Sequence, residues 1–255
     1  MTTAAASAYE EQPRWRPAHT ALLALIVGAI AIVGIALPRQ DGRLLFIGQR
    51  TVVAWLVIAL LMGAFASVAG HGVTGLWRGV LIDDRHRLSL SRLQMLLWTM
   101  LVLSAYMAAA LANIGRDAQS PLTVDIPSEL WLAMGISTAS LVAAPVALAY
   151  KQGKRPGALE SLPNERDSHW SDLFRGEEVV DSHHLDLGKV QMFLFTVVVI
   201  LGYGLAVGDM FEGSTGAFTT LPAVDEAVVT LLAISHAGYL TKKAVPTSPA
   251  PTGDG

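Results

Sequence analysis

Residues 86–110, which read HRLSLSRLQMLLWTMLVLSAYMAAA, hold the two features that decide the fold of this chain. First, no residue from Leu93 to Ala112 is charged. About 18 such residues are enough to cross the roughly 30 Å hydrocarbon core of a membrane as a helix. Second, the stretch has a near copy, because residues 183–207 read HHLDLGKVQMFLFTVVVILGYGLAV without a gap. We therefore expect a helical membrane protein with an internal repeat.

The composition of the whole chain agrees with a membrane setting. Of its 255 residues 52% are hydrophobic and 15% are charged, and none is cysteine. The lack of cysteine excludes disulfides, thiolate metal sites and thiol nucleophiles. The net charge of −3 is too small to indicate a nucleic-acid partner. Long apolar stretches, of which the last is the weakest because of Asp225 and Glu226, lie at 20–37, 51–77, 93–112, 129–150, 190–208 and about 224–241. They predict an all-α, polytopic membrane protein with about six transmembrane helices.

The distribution of basic residues predicts the orientation. With the N-terminus inside, only Arg39, Arg43, Arg50 and Arg116 of the 18 Lys and Arg residues fall on the outer side. Because cytoplasmic loops carry the excess of Lys and Arg, we expect both termini to be cytoplasmic.

The repeat extends beyond the opening stretch, since GISTAS (135–140) corresponds to AISHAG (233–238) in the following spans. Each unit holds two spans, an even number, so both units enter the membrane from the same side and form a parallel duplication. The sequence predicts these divisions: a disordered N-terminus (1–18), a two-helix lead-in (19–78), repeat 1 (79–150), a cytoplasmic linker (151–180), repeat 2 (181–243) and a disordered tail (244–255).

A stripe of residues is common to the two repeats. It steps by four and three positions, a period typical of one seam between packed helices, and includes Met95, Thr99 and Tyr106 in the first copy and Met192, Thr196 and Tyr203 in the second. The preferred interpretation is helix packing; the alternative is a polar pathway or pore lined by these residues. SRLQ (91–94) fits a capping box with Ser91 as N-cap, and Gly188 takes that place in the second copy.

Four polar residues within the spans are candidates for a functional site: His71, Ser137, Ser235 and His236. Such residues are rare in lipid and often functional, but hydrogen bonding and packing between helices are the preferred interpretation.

The GIS around Ser137 in the fourth span and the HAG of His236 and Gly238 in the sixth resemble the motifs of rhomboid-type intramembrane serine proteases. The His-to-Gly spacing is shorter than in that family, and the second span has no His-x-x-x-Asn. In addition, Ser137 has a duplicate in Ser235, whereas His236 aligns with Thr138. We therefore predict no catalytic residue, and the protease remains the enzymatic alternative.

The linker and the approach to the second repeat hold the remaining patterned residues. Trp170, Leu173 and Phe174 have the spacing of a short amphipathic helix at the membrane surface. His183 and His184 lie between Asp181 and Asp186, a set that a metal could bind. A hydrated polar collar is the preferred interpretation, and we predict neither a metal nor another cofactor.

The segments VLIDDRHRLSLSRLQMLLWT, SDLFRGEE, LDLGKVQMFLFT and LLAISHAGYLTKK resemble an uncharacterised group of bacterial multi-pass membrane proteins. The resemblance covers about 80–243 and implies a bacterial inner membrane and the duplicated two-span unit, but no reaction. We expect a non-enzymatic scaffold or anchor in the lipid bilayer that forms homo-oligomers or binds a cytoplasmic protein. A channel or small-solute transporter is the alternative.

Overall fold

The computed structural model describes residues 15–39, 47–214 and 216–245. Within these ranges the chain forms six α-helices: α1 (Pro17–Arg39), α2 (Ile47–Thr74), α3 (Leu90–Gly115), α4 (Ser128–Lys154), α5 (Leu187–Gly213) and α6 (Glu226–Ala244). Three short 3-10 helices lie at Gly79–Leu81, Glu165–Asp167 and Trp170–Leu173. The disorder predicted for the two chain ends falls mostly on residues 1–14 and 246–255, which lie outside the described residues.

Helices α1 to α5 are long and apolar enough to cross a membrane. The chain is therefore a helical membrane protein, as the sequence predicts. Helix α6 has 19 residues and is not apolar enough to count as a membrane span by the same criteria of length and hydropathy. Glu226 at its start and Lys242 and Lys243 at its end lower its hydropathy. Even so, α6 packs along α4 for much of its length.

Helix α3 is the centre of the bundle, in contact with α1, α2, α4 and α5. Its buried face includes Ala105, Ala108, Ala109 and Ala112, and such small side chains let neighbouring helices approach closely. The indole Nε1 of Trp55 on α2 donates a hydrogen bond of 3.0 Å to Ser104 Oγ on α3. A buried indole N–H needs such a partner, so this bond fixes the α2–α3 pair.

At one end of the bundle, which we call the loop end, Asn113 of α3 joins the two connecting loops. Its Oδ1 accepts from Phe218 N and its Nδ2 donates to Phe218 O, both at 2.8 Å. Nearby, Asp125 N donates to Thr219 O at 2.8 Å and Leu221 N donates to Asp125 O at 2.9 Å. The loops before α4 and α6 are therefore fastened to each other and to α3.

At the opposite end, α3 and α5 are preceded by two segments with the same hydrogen-bond pattern. Before α3, Ser89 N donates to Leu81 O and Asp83 N donates to Arg87 O, each at 2.9 Å. Before α5, Asp186 N donates to Phe174 O at 2.7 Å and Gly176 N donates to His184 O at 3.2 Å. The second segment has four more residues between its hydrogen-bonded positions. The two segments therefore correspond on both sides of that insertion.

The N-caps differ from the sequence prediction. Ser89, not Ser91, caps α3, with its side chain accepting from Arg92 N. Asp186, not Gly188, caps α5 and accepts from the amides of Gly188 and Lys189. The prediction was wrong because the helices begin one turn earlier than the apolar runs do. In the alignment of the repeats, Ser89 and Asp186 occupy the same position.

Residues 75–89 and 155–186 fold together over this end of the bundle, and we call them the cap. Arg78 connects its two parts, since its Nη2 donates to Ser168 O at 3.0 Å. The amphipathic helix expected in the linker is a four-residue 3-10 helix, Trp170–Leu173. Leu173 is buried and Phe174 packs edge-on against Phe193 of α5, with ring centroids 5.0 Å apart. Its apolar side chains therefore contact the bundle, and Trp170 alone is largely exposed.

Candidate functional site: a buried ion cluster and an adjacent cavity

Glu177 of the cap lies at the centre of a buried cluster of charges. Its Oε2 lies 2.5 Å from Arg85 Nη2, and its Oε1 lies 2.8 Å from Lys189 Nζ and 2.9 Å from Lys243 Nζ. The side chains of all four residues are at most 10% exposed. One carboxylate thus joins the cap to the start of α5 and the end of α6.

The electrostatics of the cluster follow from this geometry. Burial alone would raise the pKa of the Glu177 carboxyl, but Lys189, Lys243 and Arg85 outweigh it and hold that pKa well below its usual value. Burial would also lower the pKa of Arg85, yet Glu177 and Asp83 raise it above the ordinary arginine value. Glu177 is therefore a carboxylate throughout the physiological pH range.

Further ion pairs surround this cluster. Lys151 Nζ at the end of α4 lies 2.9 Å from Glu178 Oε1, and both side chains are at most 2% exposed. Lys242 Nζ lies 2.7 Å from Asp186 Oδ1, the N-cap of α5. Unpaired buried charges are costly, so the Lys151–Glu178 pair requires the cap to stay docked on the helices.

A partly enclosed cavity of about 490 Å³ lies beside the cluster. Its apolar wall comes from α3 and α4, and includes Leu96, Leu141, Ala144, Pro145 and Leu148. Its polar lining includes Asp83, Asp84, Ser89, Arg92 and Lys243. A cavity of this size with one apolar wall and several convergent charges has the character of a small-ligand site.

The stripe residues of the two repeats lie in different surroundings. Met95 and Thr99 line the cavity, whereas Met192, Thr196 and Tyr203 are buried in helix contacts. Tyr106 lies near the loop end and its hydroxyl donates to Leu122 O at 3.1 Å. The six residues therefore do not line one shared path in the part of the chain that the structure describes.

Gln94 contacts the second copy of the stripe. Its Nε2 donates to Thr196 Oγ1 at 2.5 Å, and the Thr196 hydroxyl donates in turn to Met192 O at 2.9 Å. Gln94 is fully buried. The capping role expected for it was wrong, because its side chain reaches across to α5 instead of back to the amides of its own helix.

The polar residues of the spans also have specific places. Ser140 Oγ on α4 lies 2.5 Å from His236 Nδ1 on α6, and both residues are buried. Ser137 Oγ is buried and has no hydrogen-bond partner among the described residues. The structure thus pairs His236 with Ser140, one turn away from the serine of the rhomboid-like motif. Ser235 is half-buried beside His236.

His71 lies in the last turn of α2, near the cap, and not in the middle of a span. Its Nδ1 is 3.0 Å from His19 Nε2 on α1, and its ring stacks on Trp77 with centroids 4.4 Å apart. His71 therefore joins α1 to α2 at the capped end of the bundle.

The residues considered for a metal each have a different contact. His183 Nδ1 lies 2.9 Å from Arg175 Nη2, Asp181 Oδ1 accepts from Glu178 N at 2.9 Å, and Asp186 caps α5. His184 is exposed. Within the described ranges no group of three or more His, Cys, Asp or Glu side chains is arranged to hold a metal ion.

Sequence reasoning did not identify Glu177 or Glu178 as site residues. Their pairing depends on a contact between the linker and basic residues far along the chain. No local signal marks them, since both stand among other charged residues of the linker.

The helices and the docked cap define the class of this protein: a membrane-embedded bundle of helices with a folded cap at one end. No protein-family model, curated protein or solved structure matches the chain.

Proposed function

We propose that this protein is a bacterial inner-membrane scaffold whose rigid cap binds a cytoplasmic protein partner. The observation that carries the proposal is the attachment of the cap by Glu177 and Glu178 to buried cations of α4, α5 and α6. A segment fastened in this way presents a fixed surface. Apolar side chains that are more than half exposed lie on that surface: Trp170, Val179, Val180 and Leu185.

The parallel duplication is part of this proposal. Helices α3 and α5 begin 97 positions apart, and α4 and α6 begin 98 positions apart, as in the sequence alignment. The corresponding hydrogen bonds before α3 and α5 support the same relation. The duplication favours six spans, with α6 equivalent to α4. The cap end holds most of the basic residues, which favours a cytoplasmic cap and cytoplasmic termini.

We further propose that copies associate through a groove between α4 and α6. It has a volume of about 680 Å³, and its lining includes Ala139, Ala143 and Ala147 from α4 and Thr241 and Ala244 from α6. Small residues at four-residue intervals let a helix of a neighbouring molecule approach closely. Gly135 continues this stripe on the exposed face of α4.

Two measurements test the proposal. Native mass spectrometry of the full chain from membranes should show an oligomer that Ala139→Leu disrupts and Val198→Leu, on the exposed face of α5, does not. Affinity purification should recover a stoichiometric cytoplasmic partner that Val180→Ser loses and Leu122→Ser, at the loop end, retains. Recovery of neither an oligomer nor a stoichiometric partner would refute the scaffold.

A transporter is the second candidate, and one observation favours it: Thr99 of the stripe lines the cavity. Its partners in the proposed pathway, Thr196 and Tyr203, are buried in packed helix contacts. Substrate flux in proteoliposomes that Thr99→Val abolishes would support transport over the scaffold.

A further inference from the structure

We propose that the cavity beside α3 binds the head group of a zwitterionic phospholipid, with its phosphate on Arg92 and its primary ammonium on Asp84. The inference concerns a different surface from the scaffold's partner site, but it rests on the parallel duplication that is part of the proposed function. It comes from a comparison of the two repeat units, in which the corresponding acidic and basic residues have different partners.

The charged residues beside α3 and α5 correspond in position. Arg92 and Lys189 occupy the same position, each three residues after the N-cap of its helix. Asp84 and Glu177 correspond as well. Each directly follows the residue, Asp83 or Gly176, whose amide donates to the carbonyl across the segment.

Only the second repeat joins its acidic residue to its basic residue in an ion pair. Glu177 and Lys189 are 2.8 Å apart and buried. Asp84 and Arg92 line the same cavity, yet neither side chain has an ion pair or hydrogen bond within the described part of the chain. The first repeat therefore holds an acid and a base apart, with a cavity of about 490 Å³ beside them.

In the second repeat, a lysine occupies the place beside the acidic residue. Lys243 lies ten residues after Ala233, and its counterpart ten residues after Gly135 is Pro145. The Lys243 ammonium lies 2.9 Å from Glu177. Lys243 also lines the cavity, but its ammonium is paired with Glu177. Pro145 supplies no charge, so the first repeat has no ammonium of its own to hold against Asp84.

A ligand that completes the first repeat must therefore bring an ammonium for Asp84 and an anion for Arg92. The apolar wall on α3 and α4 requires that an apolar part be attached to these charges. Pro145 adds one more acceptor, because it has no N–H for the carbonyl of Leu141, and both residues line the cavity. Phosphatidylethanolamine has this combination: a primary ammonium with three N–H donors, a phosphate and two acyl chains.

The cavity also has a route to the cap surface. Asp84, Pro145 and Leu148 line a second, more polar pocket of about 250 Å³ together with Gln152 and Ser161. Asp84 thus lies where the apolar cavity meets the polar surface, which is the depth at which a head group lies.

The test is native mass spectrometry of the full chain in detergent micelles doped with one purified lipid at a time. Phosphatidylethanolamine should give a one-to-one adduct. Phosphatidylcholine, whose ammonium has no N–H, and phosphatidylglycerol, which has no ammonium, should bind about tenfold more weakly, the loss expected for one charge-assisted hydrogen bond. Free phosphoethanolamine separates head-group binding from lipid binding and should compete only at much higher concentration.

Arg92→Gln and Asp84→Asn should each weaken the phosphatidylethanolamine adduct by about tenfold, and Asp84→Asn should also remove the preference over phosphatidylcholine. Pro145→Lys should abolish the adduct, because its ammonium would take the place against Asp84 that Lys243 has against Glu177. Arg166→Gln and Asp167→Asn, both on exposed cap residues, are the matched controls and should leave it unchanged.

Equal adducts with all three lipids would overturn the proposal, and so would an adduct that Arg92→Gln and Asp84→Asn leave unchanged. Asp84 is exposed and Arg92 is only half-buried, so neither substitution removes a core contact and the test does not depend on Pro145→Lys folding.

Discussion

Replacing Glu177 by glutamine removes the carboxylate that Lys189, Lys243 and Arg85 share, while keeping nearly the same side-chain volume. Arg85 retains Asp83 at 2.9 Å, and Lys189 retains the carbonyl oxygen of Asp172 at 3.2 Å. Both lysines lose their carboxylate while their side chains stay at most 6% exposed. The variant therefore places two ammonium groups in a buried site without a counter-charge.

The expected size of the effect follows from these distances. At an effective dielectric constant of about 20, one ion pair at roughly 2.8 Å is worth about 6 kcal/mol before desolvation is subtracted. After desolvation, breaking a buried ion pair by removing one partner costs about 3–5 kcal/mol. We expect Glu177→Gln to lower the free energy of unfolding by that amount and to make the cap sensitive to protease.

The assay is equilibrium unfolding of the full chain in detergent, read beside limited proteolysis of residues 155–186. Glu165→Gln is the matched control, because Glu165 is 38% exposed and lies 3.8 Å from His86. It should cost less than about 1 kcal/mol. Adding Lys243→Met to Glu177→Gln removes one of the uncompensated charges and should restore part of the loss. If Glu177→Gln costs no more than Glu165→Gln, the ion cluster does not hold the cap on the bundle.

Three further predictions follow from other contacts. Because the pKa of Glu177 is depressed in the folded protein, its contribution to stability is present in full above the unfolded value of about 4.3 and declines as the pH falls from there toward the lower folded pKa. The acid unfolding curves of the wild type and of Glu177→Gln should therefore begin to approach each other below about pH 4.3 and converge only below the folded pKa. Asn113→Ala leaves the buried N–H and C=O of Phe218 without their partners and should cost on the order of 2–4 kcal/mol in unfolding. Asn113→Asp keeps the acceptor but places a buried carboxylate oxygen against the Phe218 carbonyl, and it should cost at least as much. Gly79→Ala would place a methyl group 2.6 Å from the Gly70 carbonyl oxygen and should destabilise the protein by about 1–3 kcal/mol in equilibrium unfolding. Gly202→Ala on α5 meets nothing within 4 Å and should be neutral or slightly stabilising in the same assay.

The helices could be predicted from the sequence because membrane solvent imposes a simple rule. A run without charge such as residues 93–112 has no other stable place, and its backbone must satisfy its own hydrogen bonds as a helix. The observed α3, Leu90–Gly115, adds only a few residues at each end. These extra residues include Ser91 and Arg92, whose polarity hides the helix start from a measure based on hydropathy.

The cap could not be predicted in this way, because its fold depends on contacts between distant residues. Arg85 and Glu177 are 92 positions apart, and each is an ordinary charged residue within its own segment. The same limit applies to Gln94, whose partner Thr196 lies 102 positions away. Local patterns predicted a helix-capping role for Gln94 and a short amphipathic helix at the membrane surface for Trp170, and in both cases the tertiary contacts differ.

The basic residues that set the proposed topology are largely the ones that later hold the cap. Lys151, Lys189 and Lys243 lie at helix ends. In the proposed topology they would act on membrane insertion as free charges, since nearby acidic residues have little influence on that step. Once the helices have crossed, Glu177 and Glu178 neutralise these lysines in the folded cap. The same lysines can therefore first orient the helices in the membrane and then stabilise the docked cap. In the first repeat Arg92 would give the same insertion signal, but its side chain has no acidic partner in the described part of the chain. The proposed duplication therefore leaves one cation and one cavity for a ligand from the membrane.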